Sequence, residues 1–166
     1  MLTIGRRQAS AWRGSTAFLG SSLQLTRRLA LLGLVALAVQ ITLGGWTSSH
    51  YAATACPDFP KCQGAWWPPM HGNVAIHFAH RLGALFATGM LLLSAIRVLR
   101  SRSDPFARRA ALAVLLALAL QLVIAVAMVM GGFPLGIATA HTAGAALLLL
   151  AVLALNRSLR PAWKAS

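Results

Sequence analysis

The sequence predicts an all-α integral membrane protein, a four-helix bundle made of two pseudo-repeated helix hairpins. Three observations carry this. The 166-residue chain is 58% hydrophobic and 10% charged, whereas a soluble domain is about 45–50% apolar and about 25% charged. The apolar residues fall into four runs, each near the roughly 20 residues that a spanning helix needs. All but two of the 15 basic residues, Lys61 and Arg81, gather at alternate ends of those runs, and the whole chain has two acidic residues, Asp58 and Asp104.

The first run extends from about Leu29 to Trp46 and the second from about Val74 to Leu99. The third extends from about Ala110 to Met130 and the fourth from about Leu135 to Leu155. The second is the longest and should tilt or project beyond the bilayer. Arg6, Arg7, Arg13, Arg27 and Arg28 precede the first run. Arg97, Arg100, Arg102, Arg108 and Arg109 surround the second connection, and Arg157, Arg160 and Lys164 follow the fourth run. The first connection has Lys61 alone and the third has no charge. The positive-inside rule then puts both termini and the middle connection in the cytoplasm. The expected organisation is a basic cytoplasmic segment over 1–26, a four-helix transmembrane domain over 27–156 and a cytoplasmic tail over 157–166. A net charge of +13 would suit nucleic acid, but no solvated basic domain is left once the runs are placed, so nucleic acid is not an expected partner. Membrane lipid is.

The outward loop reads "TSSHYAATACPDFPKCQGAWWPPMHG" and holds the two cysteines of the chain, Cys56 and Cys62. On an oxidising side of the membrane such a pair reads as a disulfide. A structural staple is the simpler role, and a labile redox pair is the other. A zinc site lacks a four-ligand spacing. "ATAC" lies too far past the first run to be a lipoprotein cleavage site, so that run reads as a retained helix. Trp46, Trp66 and Trp67 suit the outer aromatic belt.

A short internal repeat is the next signal. The first run ends "QITLGGW" and the third "MVMGGF", while the second contains "HRLGA" and the fourth "HTAGA". The pattern suggests two parallel repeats of a helix hairpin. His80 and His141 then fall at similar depth, roughly 9–10 Å inside the outer boundary at 1.5 Å per residue. Ionisable residues inside a membrane face the protein interior and mark function. Two matched imidazoles suit bis-histidine ligation of haem iron in a four-helix bundle. Gly83 and Gly144, one turn on, would give a macrocycle room beside each ligand, with Ala84, Ala87, Ala145 and Leu148 as an apolar wall. The plainer alternative is close helix packing at the glycines, with the histidines hydrogen-bonding across helices. Arg81 has no acid partner in the helices. It either snorkels outward or meets an anion such as a haem propionate. His77 is a second propionate partner, an outer-site ligand or an interfacial residue. Met128 and Met130 read as packing.

Taken together, "LGGWTSSHYAATACPDFPKCQGAWWPP", "IHFAHRLGA" and "AHTAGA" resemble the bacterial haem A synthase family of cytochrome oxidase assembly, from about Arg27 to Leu155. That family has two similar four-helix halves, and the sequence is most like the C-terminal, haem b-binding half. The resemblance implies haem b as cofactor with His80 and His141 as its axial ligands, and haem O and haem A as substrate and product. It also implies that Cys56 and Cys62 are the loop cysteine pair. Where the substrate-handling half has a glutamate three residues before its histidine, this chain has His77, so the resemblance leaves the catalytic residues unassigned. The expected partners are haem, a second copy or a complementary four-helix half, and a haem O synthase or oxidase assembly protein. The expected location is the bacterial inner membrane. The basic opening stretch stands where a full family member has its first half, which suggests a short member, a split gene or a misassigned start. Two rival functions keep the same ligands: an electron-transfer cytochrome b without haem-modifying activity, and a non-catalytic haem-delivery subunit.

Overall fold

The computed structural model describes residues 4–101 and 103–160, with side chains from residue 22 onward. The basic residues Arg6, Arg7, Arg13, Arg102 and Lys164, and the tail beyond residue 160, lie outside the described side chains. Four helices follow one another: α1 (Ile4–Ser49), α2 (Gly72–Arg100), α3 (Pro105–Met130) and α4 (Leu135–Ser158), with a 3-10 turn at Ala52–Ala55 between α1 and α2. No strand occurs among the described residues. Ser22–Ser49 of α1 and the whole of α2, α3 and α4 are 28, 29, 26 and 24 residues long and apolar enough to cross a membrane. At 1.5 Å per residue these are about 36–44 Å, longer than a hydrocarbon core of about 30 Å. The protein is therefore a membrane protein, and all four helices have length to spare for tilt or for projecting ends.

Local sequence sets the boundaries. The Asp104 side chain accepts hydrogen bonds from the backbone N–H groups of Phe106 and Ala107 at 2.8 and 3.1 Å. With Pro105 in the first turn, α3 has both an N-cap and a preset φ where its N–H groups would otherwise lack partners. Helix α3 ends at a turn in which Gly132 and Phe133 take φ of 72° and 62°. The first is easy for glycine and the second costly for a bulky residue. Asn156 Nδ2 donates to Ala30 O at 3.1 Å, and Arg27 Nε donates to Leu159 O, which joins the last helix to the first.

Helix α1 packs along α2 and α3 along α4, and the α2–α3 and α1–α4 seams close the bundle. The main core lies toward the end that carries the α2–α3 connection. Ala30, Leu37, Leu91, Ala95, Val98, Ala111, Val114, Leu118, Leu148, Val152 and Leu155 are all buried there. A second, small core at the other end joins Cys56, Cys62 and Phe78, with Val74 against them. The layer between differs from both. Over residues 40–46, 79–86, 121–128 and 141–147, Gly144 is the sole buried residue. The packing of the bundle thus stops about one turn below Gln40 and Gln121.

The expected repeat is met only in part. Gly44 and Gly45 continue α1, and a Cβ on Gly44 would lie 3.1 Å from His80 Cε1. Gly131 and Gly132 instead form the turn after α3. The two Gly-Gly-aromatic motifs therefore have different structural jobs, and their match in sequence does not give the register of the hairpins.

Candidate functional site

The partly buried layer contains two stations of the same chemistry. At the first, Gln40 of α1 faces His80 of α2. The Gln40 side-chain nitrogen donates to His80 O at 3.0 Å and lies 3.0 Å from the ring Nδ1 and 3.4 Å from Nε2. At the second, Gln121 of α3 faces His141 of α4. Its nitrogen donates to His141 O at 3.0 Å and lies 3.1 and 3.4 Å from the two ring nitrogens. The carbonyl acceptor fixes which end of each amide is nitrogen. The other end, Oε1 of Gln40 and Oε1 of Gln121, is buried and has no hydrogen-bond partner.

The glycines explain how the amides fit. A Cβ on Gly83 would collide with Gln40 Oε1, and a Cβ on Gly144 with Gln121 Oε1. The space one turn from each histidine, assigned from sequence to a macrocycle, is taken by a glutamine amide. In the sequence Gln40 is the first letter of "QITLGGW" and Gln121 lies seven residues before "MVMGGF", and neither is among the expected site residues. The signal that could have singled them out is a polar residue deep in each of two apolar runs, where an unpaired amide is costly.

His77 and Arg81 face away from this layer, toward the loop. Arg81 Nη1 donates to the carbonyls of Asp58 and Lys61 at 2.9 and 2.8 Å, and Nη2 donates to Cys56 O at 2.8 Å. Its Nε donates to His77 Nε2 at 3.2 Å. The His77 ring, with Nε2 as acceptor, carries its proton on Nδ1, which donates to Ala52 O at 3.1 Å. Three backbone carbonyls thus take the place of the acid that the helices do not offer Arg81. Four of the five guanidinium N–H groups are used.

The loop that accepts these bonds is closed by the Cys56–Cys62 disulfide. Asp58 completes it: its carboxylate accepts from Gln63 N at 2.7 Å and Gly64 N at 2.9 Å. The Gly64 N–H chiefly, helped by the Gln63 N–H and the nearby Arg81 charge, holds the Asp58 carboxyl below its ordinary pKa. Trp67 packs edge-on against Phe78 at 5.5 Å, and Phe133 lies edge-on to His77 at 6.2 Å. Trp46, Trp66 and Trp67 are well exposed at this end of the bundle. Met130 is two-thirds exposed, so it does not pack within the bundle as its helical spacing suggests.

The arrangement offers two imidazoles on different hairpins, held by matching amides in a layer whose residues are, but for Gly144, partly or fully exposed. Among the described residues, no cluster of three or more His, Cys, Asp and Glu side chains could hold a metal ion. His80 and His141 are the side chains of this layer that could hold a metal complex bringing most of its own ligands.

Comparison with known proteins agrees in kind. The family model for "Cytochrome oxidase assembly protein" matches residues 3–153. A heme A synthase of Shewanella oneidensis is 38% identical over 82% of this chain and 47% of its own length. Heme A synthases of Chelativorans and Bradyrhizobium diazoefficiens are each 33% identical, over 77% and 79% of the chain and 39% and 40% of their own lengths. The chain spans less than half the length of these relatives, on their C-terminal side. No solved structure matches it. Matched along nearly all of its length, the chain belongs to the cytochrome oxidase assembly protein family.

Proposed function

We propose that the chain is a haem-binding membrane unit of the haem A synthase type, with His80 and His141 as the axial pair for a haem b iron. The reading is that it acts in the conversion of haem O to haem A for terminal oxidase assembly, with a second copy or a complementary four-helix half. The observation that carries this is the pair of matched glutamine–histidine stations in the layer where bundle packing stops. When bound, haem supplies the redox chemistry. The chain's own residues ligate, orient and shield: His80 and His141 from the two hairpins, Gln40 and Gln121 behind them, and the disulfide loop pinned over the end of α2. One Arg81 N–H remains uncommitted and suits an anionic edge such as a propionate, with His77 one turn before it on α2; Gly83 and Gly144 serve the site by making room for the glutamine amides. The concentration of Arg27, Arg28, Arg97, Arg100, Arg108, Arg109, Arg157 and Arg160 at one end supports a bacterial inner-membrane orientation with that end cytoplasmic. The domain limits 1–26, 27–156 and 157–166 belong to the same reading.

Purified protein should give a low-spin b-type spectrum. His80→Ala or His141→Ala should abolish or convert it, and His50→Ala and His71→Ala should leave it. An unchanged low-spin spectrum in both helix variants would remove the assignment.

One observation favours the cytochrome b reading, electron transfer without haem modification. The two acids of the chain, Asp58 and Asp104, both lie outside the helices. A positive charge developing on a haem substituent would lack an oriented carboxylate. Expression with a source of haem O, followed by pigment extraction, separates the readings. Formyl-haem product from this chain alone supports the synthase reading, and haem b binding without it supports electron transfer or the need for a partner half.

A further inference from the structure

We propose that Gln40 and Gln121 are positioning residues that set the tautomer and ring orientation of His80 and His141, switching the end of the amide presented to the ring when the imidazole takes up a metal. The proposal rests on the axial role given to the two histidines above.

The argument starts from donor counting. Each glutamine nitrogen has two N–H groups. One is used by the carbonyl of its own histidine, at 3.0 Å in both stations. The other points at the ring, and the nearer ring atom is Nδ1, at 3.0 and 3.1 Å. A neutral imidazole that accepts at Nδ1 must keep its proton on Nε2. In that tautomer Nε2 has no lone pair to offer a metal.

Ligation through Nε2 needs the opposite state, with the proton on Nδ1 and an acceptor facing it. A metal-bound histidine nearly always donates its other N–H to such an acceptor, which fixes the ring and raises its basicity. Here the acceptor is already within the site. Gln40 Oε1 and Gln121 Oε1 are buried without partners, a costly state for a carbonyl oxygen. A half-turn of the amide about its last side-chain bond brings Oε1 to the ring; it gives up the bond from the amide nitrogen to the histidine carbonyl, at 3.0 Å in both stations, so the amide must also draw away from that carbonyl oxygen. The imidazole keeps one proton throughout, which moves from Nε2 to Nδ1. Gly83 and Gly144 make the turn feasible, since a Cβ at either position would strike the amide oxygen. That both stations share the donor, the orphaned acceptor and the glycine is what sets this apart from a chance interhelical hydrogen bond.

The test has a haem-free arm and a loaded arm. In haem-free protein with 15N-labelled histidine, ring nitrogen shifts should report His80 and His141 as Nε2–H tautomers. Gln40→Leu should change the shifts of His80 and leave His141, and Gln121→Leu should do the reverse. In loaded protein, each Gln→Leu variant should lose haem about 10-fold or more readily and change the low-spin electron paramagnetic resonance g-values. Gln40→Glu, a stronger acceptor, should restore retention and lower the midpoint potential. Gln40→Met and Gln121→Met serve where a leucine variant fails to fold.

Tautomers untouched by the substitutions, or changed equally at both histidines, overturn the proposal. So do wild-type g-values and potential in the loaded variants. Absence of haem uptake by the wild type would refute the axial-ligand reading instead, and the haem-free arm would still decide whether the glutamines set the rings.

Discussion

The guanidinium of Arg81 donates to the carbonyl oxygen of Cys56 at 2.8 Å, which fastens a membrane helix to a disulfide loop without any carboxylate. With the Asp58 and Lys61 carbonyls, it forms a three-point clamp on the loop backbone. Arg81→Ala should therefore free the loop. Each charge-assisted bond is worth about 1.5–3 kcal/mol where shielded, and less at the exposed edge of this clamp. Amide hydrogen exchange of residues 56–64 should rise sharply in Arg81→Ala. Arg81→Lys keeps the charge but not the planar fork, so it should give an intermediate rate.

Cys56 and Cys62 close a small ring, and cross-linking a ring of this size constrains the unfolded chain by about 2 kcal/mol. Thiol labelling of denatured protein should find both cysteines blocked until reductant is added. Cys56→Ser should speed exchange in the loop while leaving the Gln40–His80 station, which belongs to the helices, in place. Its effect should be smaller than that of Arg81→Ala if the clamp, rather than the disulfide, holds the loop to α2.

Asp58 makes the loop acid-sensitive. Its folded pKa is lowered, chiefly by the Gly64 N–H. A lowered carboxyl pKa contributes stability that is fully present above the unfolded value of about 3.9 and is lost as pH falls through the folded value. Loop exchange, or the fluorescence of the exposed Trp66 and Trp67, should thus be constant from neutral pH down to about 4 and change below it. Asp58→Asn should give a looser loop at neutral pH and no such acid transition.

The membrane helices were legible because hydropathy and length are local properties. Their ends moved by a few residues where caps act, as at Asp104, which extends α3 back to Pro105. The disulfide was legible from compartment logic. The roles of His77 and Arg81 were not, because their partners are backbone carbonyls of Ala52, Cys56, Asp58 and Lys61, and a carbonyl has no letter in a sequence. The glutamines were hidden for a related reason: Gln40 and Gln121 gain meaning only once α1 is seen against α2 and α3 against α4. The Gly-Gly motifs misled, since Gly44 serves a helix face and Gly131 a turn.

Asp104 offers a control far from the site. Replacing an N-cap acid by alanine costs about 1 kcal/mol. Asp104→Ala should lower the thermal midpoint modestly, through fraying of the first turn of α3. The ring nitrogen shifts of His80 and His141 should stay as in the wild type.

Three glycines give the sharpest comparison of packing with propensity. Gly83, Gly89 and Gly144 all lie inside helices, where alanine is preferred to glycine by up to about 1 kcal/mol. A Cβ on Gly89 would meet nothing within 4 Å, so Gly89→Ala should be neutral or stabilising by that amount. A Cβ on Gly83 would strike Gln40 Oε1 and lie 3.0 Å from Leu43 Cδ1. Swinging the amide aside would cost the bond from its nitrogen to His80 O. Gly83→Ala should therefore destabilise by about 1–3 kcal/mol, the usual cost of overpacking, and should perturb His80 in the same direction as removal of the glutamine. Gly144→Ala should act likewise through Gln121 on His141. Thermal midpoints in detergent read the first effect and histidine ring shifts the second. Equal midpoints for Gly83→Ala and Gly89→Ala would mean that the Gln40 amide has room to spare, and would remove close approach of the helices as the reason for glycine at residue 83.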